Sequence, residues 1–224
     1  MTFSIVAKCE QTGMFGVAVT SSSPAVAARC AYARPGVGAV SSQNITDPRL
    51  GQRSLDLLSL SADADDVIRI LQNGSPDIEY RQLLAVDKNG RAAVYSGKHT
   101  LGIWAEACAD NVACAGNLLA NDSIPLAMLD NFRSSRGHLG DRLISALRAG
   151  RDAGGEMGPV KSAGMKLVRD VEWPVADLRC DWSDACPIEN VANLWDLYRP
   201  QMDAYVMRAL HPNEAPSYGV PGNE

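Results

Sequence analysis

The chain begins with two β-rich runs that are apolar on both faces and are joined by a short polar turn. The runs read FSIVAKC and FGVAVTS, and the EQTG between them ends in Gly13, which tolerates positive φ. Strands that are apolar on both faces must be covered above and below, so they belong inside a layered structure. With the turn over Glu10 to Gly13, the register places Thr2 beside Ser21 on the partner strand.

The remaining predicted strands also come in hairpins. A Pro-Gly turn at Pro35 separates AARCAYAR from VGAVSSQ, and an Asn-Gly turn at Asn89 separates two further β-rich runs. The pattern predicts, in order, four strands, two helices, three strands, two helices, two strands and closing helices. Hairpins in place of strand–helix–strand alternation favour an α+β fold of antiparallel sheets with segregated helices over a Rossmann fold. Two stacked sheets between helical layers would bury every apolar surface.

The length and composition favour one globular domain. The chain has 224 residues, of which 46% are hydrophobic and 21% are charged. Since no linker or internal repeat divides the chain, we predict a single domain over residues 1–210. Residues 211–224 contain three prolines and no periodicity, so we expect an extended tail there.

The charge and cysteine patterns exclude several kinds of partner. The net charge is −5 and no basic block is present, so we expect no nucleic-acid partner. No apolar run approaches the roughly 20 residues of a membrane span, and the amino terminus does not resemble a secretory signal. The six cysteines lack CxxC or zinc spacing, which favours free thiols in a reducing cytoplasm. We expect no cofactor, and, with three scattered histidines, no metal site.

Thr2 is the residue that points to a chemistry. Thr is small enough at this position for the initiator Met to be removed, which would leave a hydroxyl and a free α-amine on one residue. A free α-amine has a pKa of about 7.7–8.0, so it can take up a proton at neutral pH without a histidine. Thr is also an ordinary strand former, and this position alone does not distinguish the two roles.

Several ordered motifs between residue 1 and about residue 182 resemble one family. They are MTFSIVA, ARPGVGAVSSQ, RQLLAVDKNGR, AGNLLA, DAGGE and DLRCDW. With them the chain is similar to a bacterial branch of the N-terminal-nucleophile (Ntn) hydrolases called domain of unknown function 1028. This resemblance implies a four-layer αββα sandwich of two antiparallel sheets between helical layers. It also implies cleavage of a small-molecule amide by Thr2, and it allows a homodimer, because such sandwiches often assemble.

Amide hydrolysis by Thr2 needs neighbouring groups, and the strand ends supply candidates. Ser21 would assist the nucleophile, while Ser42, Gln43 and Asn117 are candidate oxyanion donors. Three of these residues have a structural alternative: Ser21 as a residue that ends a strand, Asn117 as a turn residue after a strand, and Gln43 as a loop cap.

Three further residues are candidates for substrate binding. Arg34, on a turn between strands, would hold a substrate carboxylate in a two-point contact. Lys161 and Ser162 follow a Gly-rich loop that would close over a pocket, although a solvated turn is the favoured interpretation for both.

Departures from the family pattern keep other functions open. A Gly-Arg-Gln-Ser-Ala pattern is expected after the Gly-rich loop, whereas this chain has GPVKSAG. The stretch TSSSPAV lacks the acid of proteasome-type members, and Arg29 falls near their lysine. The alternative is therefore a catalytically inactive fold that serves as a ligand-binding or assembly module. A third hypothesis is an enzyme that uses a cysteine, with Cys9 and Cys114 as candidates.

Overall fold

The computed structural model describes residues 2–220, which contain ten strands, seven α-helices and two single-turn 3-10 helices, Ile78–Tyr80 and Arg199–Gln201. The strands are β1 (Thr2–Lys8), β2 (Phe15–Ser21), β3 (Ala31–Arg34), β4 (Gly38–Asn44), β5 (Arg81–Asp87), β6 (Ala92–Ser96), β7 (Ala105–Ala109), β8 (Val112–Asn117), β9 (Ser162–Val168) and β10 (Ala176–Cys180). The helices are α1 (Ala27–Cys30), α2 (Pro48–Ser59), α3 (Ala64–Gly74), α4 (Ile124–Ser134), α5 (Leu139–Asp152), α6 (Pro187–Tyr198) and α7 (Met202–Leu210).

The strands form two antiparallel sheets that stack face to face between helices. The larger sheet has the order β10-β9-β2-β1-β8-β7, and the smaller has the order β3-β4-β5-β6. Helices α4, α5 and α6 pack on the outer face of the larger sheet, and α2 and α3 pack on the outer face of the smaller one. The chain is therefore an α+β protein with the four-layer αββα arrangement that the sequence predicts.

Strand β1 lies in the middle of the larger sheet and contributes to two cores. Phe3 and Ile5 are fully buried in the core beneath the helices, whereas Val6 packs in the core between the two sheets. Because side chains alternate across a strand, Thr2 and Ser4 share the face of Val6 and point toward the smaller sheet. The opening hairpin therefore has two buried faces, as predicted.

Two segments differ from the sequence-based expectations. Ala27–Cys30 forms one helical turn rather than a strand, because alanine and arginine favour helix and the Ser162 hydroxyl accepts the N–H of Val26 at its start. Strand β7 was not predicted, since alanine and glutamate are weak strand formers. Its hairpin with β8 turns at Asn111, whose φ of 68° is the left-handed conformation that Asn tolerates.

The carboxyl-terminal helices close one end of the fold. The indole N–H of Trp195, in the core, donates to Asp141 Oδ1 over 2.7 Å, which links α6 to α5. Residues 211–220 contain no helix or strand, and Tyr218 stacks on the guanidinium of Arg208. The last four residues of the predicted tail lie outside the described residues. Within residues 2–220, none of the helices is both long and apolar enough to cross a lipid bilayer.

Candidate active site

Thr2 lies between two strand partners at the amino end of β1. The register pairs Thr2 with Asn117 on β8, and it pairs Phe3 with Thr20 on β2, which sets Thr2 beside Ser21. Thr2 Oγ1 donates to Ser21 Oγ over 3.3 Å. Thr2 is only 6% exposed, and its hydroxyl is hydrogen-bonded to the hydroxyl of Ser21. The register predicted from the opening turn is therefore confirmed.

A buried polar network lies between the two sheets next to Thr2. Ser4 Oγ donates to Gln43 Oε1 over 2.6 Å, and Gln43 Nε2 donates to Gln82 Oε1 over 2.8 Å. Asn117 Nδ2 donates to the same Gln82 oxygen over 3.1 Å. All four side chains are buried. Because an unpaired polar group is costly at this depth, the mutual hydrogen bonds hold the four side chains in one arrangement.

Backbone carbonyls fix which way each amide of the network points. Gln43 Nε2 also donates to the carbonyl of Ala115, and Gln82 Nε2 donates to the carbonyl of Gly116 over 3.1 Å. A carbonyl can only accept, so the NH2 group of each glutamine must face it. Gln82 Oε1 is consequently an acceptor, and Asn117 turns its NH2 group toward it. The remaining Asn117 Oδ1 is buried and has no hydrogen-bond partner among residues 2–220.

This orientation matters for the predicted oxyanion donors. The Gln43 amide N–H groups are engaged by Gln82 and Ala115. Ser42 points to the other face of β4, where its Oγ donates to the carbonyl of Asp47 before α2. Asn117 presents an oxygen rather than an N–H group. In the described arrangement, the side chains of these three candidates do not form an oxyanion hole.

Glu156, from the DAGGE motif, lies at the same end of the sheet and was not predicted. It forms an isolated bridge with Leu119, two residues beyond Asn117, and its Oε2 accepts the N–H of Ser22 over 3.1 Å. The residue is 6% exposed, and its Oε1 has no hydrogen-bond partner in the described part of the chain. Burial raises the pKa of Glu156 to about 7, although the Ser22 N–H acts in the opposite direction. The sequence signal that could have found it is an acid that directly follows two glycines in a Gly-rich loop.

A cavity of about 330 Å³ opens beside this corner of the sheet. Its lining includes Phe3, Glu156 and the Gly-rich loop at 154–160. The lining carboxylate of Asp184 is paired with Lys161 over 2.9 Å. The volume is at the lower end of the range of small-ligand pockets, about 300–1,000 Å³.

Lys161 and Ser162 lie beside β2 at the start of β9. Ser162 is fully buried: its Oγ donates to the carbonyl of Ser23 and accepts the N–H of Val26. The solvated-turn interpretation is therefore wrong for Ser162. Its hydroxyl holds the segment after β2 in place through hydrogen bonds to the backbone of Ser23 and Val26. The Lys161 ammonium forms an ion pair with Asp184, which lines the cavity.

Arg34 lies far from Thr2 and the polar network. It pairs with Gly38 at one end of β4, whereas Gln43 lies five residues along that strand, roughly 16 Å away at about 3.3 Å per residue. Its guanidinium forms an ion pair with Asp56 on α2 over 2.7 Å. The expected substrate contact has no support from this position.

The two candidate cysteine nucleophiles also lie elsewhere. Cys114 is fully buried in the core beneath the helices, and burial raises the pKa of its thiol well above the ordinary value, which keeps it protonated. Cys9 is buried where the opening turn begins, at the far end of β1 from Thr2. Nowhere in residues 2–220 do three or more His, Cys, Asp or Glu side chains converge as metal ligands would.

Comparison with solved structures identifies a similar chain. The structure is similar to the crystal structure of protein SPO2555 from Silicibacter pomeroyi, assigned to DUF1028, with 27% identity, 88% of each chain covered and a TM-score of 0.82. Anbu (ancestral beta-subunit) from Yersinia bercovieri matches with a TM-score of 0.37, 10% identity and coverage of 91% of this chain and 97% of that one. Anbu from Hyphomicrobium sp. strain MC1 matches with a TM-score of 0.39, 12% identity and coverage of 92% and 98%.

Comparison by sequence gives the family. A search of the curated proteins finds no match. The model of a family of unknown function, DUF1028, matches residues 2–191. Because this match spans most of the 224 residues, the chain belongs to the family of unknown function DUF1028.

Proposed function

We propose that this protein is an amidohydrolase of the Ntn superfamily, which cleaves a C–N bond in a small-molecule amide with Thr2 as its amino-terminal nucleophile. The observation that supports this proposal best is the 3.3 Å contact of Thr2 Oγ1 with Ser21 Oγ at the start of the central strand, among polar side chains. A cavity of about 330 Å³ at the same end of the sheet has the size of a small-molecule site; Glu156 and Phe3 line it, and Thr2 is not among its lining residues.

The proposed reaction uses one residue as nucleophile and base. Removal of Met1 turns the backbone nitrogen of Thr2 into a free α-amine. This amine takes the proton of Oγ1 while Oγ1 attacks the substrate carbonyl carbon. The C–N bond then breaks, and the leaving nitrogen takes up the proton. Water, activated by the same amine, hydrolyses the resulting ester and regenerates Thr2.

The proposal includes a reducing cytoplasm as the place of action. All six cysteines are free thiols, and three of them are buried. Thiols in this number persist unpaired where glutathione and thioredoxin keep them reduced.

The test is turnover of a panel of small amides and lactams, measured by release of the amine. We expect Thr2→Ala to lower the rate by about 1,000-fold or more while the melting temperature stays close to that of wild type. Thr12→Ala, in the exposed opening turn, is the matched control and should leave the rate unchanged. Equal rates for Thr2→Ala and wild type would reject the proposal.

A second candidate function is a catalytically inactive module that binds a ligand or assembles. The observation that favours it is the burial of Thr2, together with the engaged N–H groups of the Gln43 side chain. This function predicts that Met1 is retained and that ligands bind without turnover. Intact-mass measurement of the purified protein separates the two candidates.

A further inference from the structure

The pairing of β1 with β8 fixes where a mature amino terminus would lie. Thr2 pairs with Asn117, so Leu118 is the next position outward on that side. The N–H of Met157 donates to the carbonyl of Leu118 over 3.1 Å, which brings the Gly-rich loop across the sheet at this point. The loop therefore passes just beyond the amino end of β1.

The other neighbouring strand gives the same location. Ser21 lies beside Thr2, so Ser22 is the next position outward on the β2 side. Ser22 donates its N–H to Glu156 Oε2 over 3.1 Å. Glu156 is thus held beyond both strand partners of Thr2, at the end of β1 where the Thr2 nitrogen lies.

Two buried acceptors without partners flank this point. Six buried side-chain atoms in residues 2–220 lack a hydrogen-bond partner, and Glu156 Oε1 and Asn117 Oδ1 are two of them. Buried polar atoms are almost always paired, because an unmade hydrogen bond costs free energy. The network through Gln82 holds the Asn117 oxygen in place, and the Ser22 N–H holds the Glu156 carboxylate. An α-amine, with two or three N–H donors, matches this pair of acceptors.

We infer that, in the mature chain, the α-amine of Thr2 donates hydrogen bonds to Glu156 and Asn117, with the Glu156 carboxylate as its ionic partner. The inference rests on the proposed function, because it requires the loss of Met1. In this role Glu156 is a positioning residue that acts through the amine and does not touch the substrate.

The inferred contact has a consequence for proton affinity. A carboxylate beside an ammonium stabilises the charged form of each group. The pKa of the amine therefore rises above its ordinary 7.7–8.0 or so, and the pKa of Glu156 falls below the value that burial alone gives it. Since the amine must be neutral to act as a base, the acid limb of the pH–rate profile follows its pKa.

Among the described residues, the other charged groups that line this cavity, Arg151 and Asp184, are already paired. Arg151, which lines the same cavity from α5, binds Glu189 over 2.6 Å and Asp152 over 2.8 Å. Asp184, which lines it after β10, binds Lys161. Glu156 is thus the lining carboxylate that lies next to the amine and sets its charge.

The experiment is a titration of the α-amine by competitive labelling. Wild-type protein is pulsed with isotopically labelled acetic anhydride between pH 5 and pH 10, and label on the amino-terminal peptide is counted. We expect an amine pKa above about 8 in wild type and a value at least about one unit lower in Glu156→Gln. Glu172→Gln removes an exposed carboxylate elsewhere and should leave the pKa unchanged. Glu156→Asp, which keeps the charge, should restore part of the difference and guards against a folding defect in the Gln variant.

The outcomes separate this inference from the proposed function. Chains that begin at Thr2 and have the same amine pKa in wild type and Glu156→Gln overturn the inference alone. A chain that retains Met1 contradicts both. A shifted pKa combined with full activity in Thr2→Ala supports the contact and rejects the proposed nucleophile.

Discussion

Asn117 on the larger sheet donates its side-chain N–H to Gln82 on the smaller sheet over 3.1 Å. This bond determines which atom of Asn117 is left for the site. Because Gln82 Nε2 is held by the carbonyl of Gly116, its oxygen must accept, and Asn117 therefore presents its own oxygen beside Thr2. The smaller sheet thus determines whether Asn117, on the larger sheet, offers a hydrogen-bond acceptor or a donor next to the candidate nucleophile.

Replacing Gln82 by leucine tests this network. The change keeps the approximate side-chain volume but removes the oxygen that accepts from both Gln43 and Asn117. Each of these two buried amide groups then loses one hydrogen bond. We expect a loss of about 2–4 kcal/mol in the free energy of unfolding, measured by urea denaturation. Gln72→Leu on the exposed face of α3 should change it by less than about 0.5 kcal/mol. A loss no larger than that of this control would show that the network contributes nothing.

Ser21→Ala probes the partner of the nucleophile. The Ser21 hydroxyl accepts hydrogen bonds from Thr2 Oγ1 and from the N–H of Ser23. Its removal therefore takes away a contact that fixes the side-chain rotamer of Thr2. We expect kcat to fall about tenfold with little change in KM, together with a loss of about 1 kcal/mol in stability. Ser59→Ala, on the exposed side of α2, should alter neither quantity. An unchanged kcat in Ser21→Ala would remove Ser21 from the mechanism.

Arg34→Ala tests the residue that the structure separates from the site. Its ion pair with Asp56 is largely solvent-exposed and therefore contributes little to stability. We therefore expect kcat/KM within about twofold of wild type in steady-state assays. A tenfold loss would return Arg34 to the binding site and contradict the described geometry.

The ion pairs of Glu189 predict a dependence of stability on pH. Hydrogen bonds from Arg148 and Arg151, with their charges, lower the pKa of Glu189 from 4.5 to about 2. Because the folded-state pKa is the lower one, the stabilisation is present above about pH 4.5 and is lost as the pH falls toward 2. We expect Glu189→Gln to cost about 1 kcal/mol at pH 7, since the pairs are partly screened by solvent, and almost nothing at pH 2. Urea denaturation at the two pH values checks this, and an equal cost at both would contradict it.

The sequence predicts those features that depend on neighbouring residues. Turn chemistry at Gly13 and Asn89 predicts both hairpins, and the opening turn predicts the contact of Thr2 with Ser21. The sequence does not predict strand β7, because this Ala-rich edge strand has no β-branched residues and no strong turn signal beside it. Local pattern therefore gives the layers of the fold and the position of Thr2.

The groups around Thr2 depend on contacts between distant segments. Glu156 is hydrogen-bonded to Ser22, which lies 134 residues earlier in the chain, and Asn117 is hydrogen-bonded to Gln82, which lies 35 residues earlier. Periodicity and turn signals carry no information about such long-range contacts or about the direction in which a side-chain amide points. The orientation of Asn117 and the burial of Glu156 could therefore be found only in the folded structure.

The most direct measurement of the central claim is a mass spectrum of the amino-terminal peptide after reaction with p-nitrophenyl acetate. The proposed mechanism predicts a peptide that begins at Thr2 and carries an acetyl ester on Oγ1, which hydroxylamine removes. Thr2→Ala should lack this ester. A peptide that begins at Met1, or a wild-type Thr2 without a hydroxylamine-sensitive acetyl group, would contradict the claim.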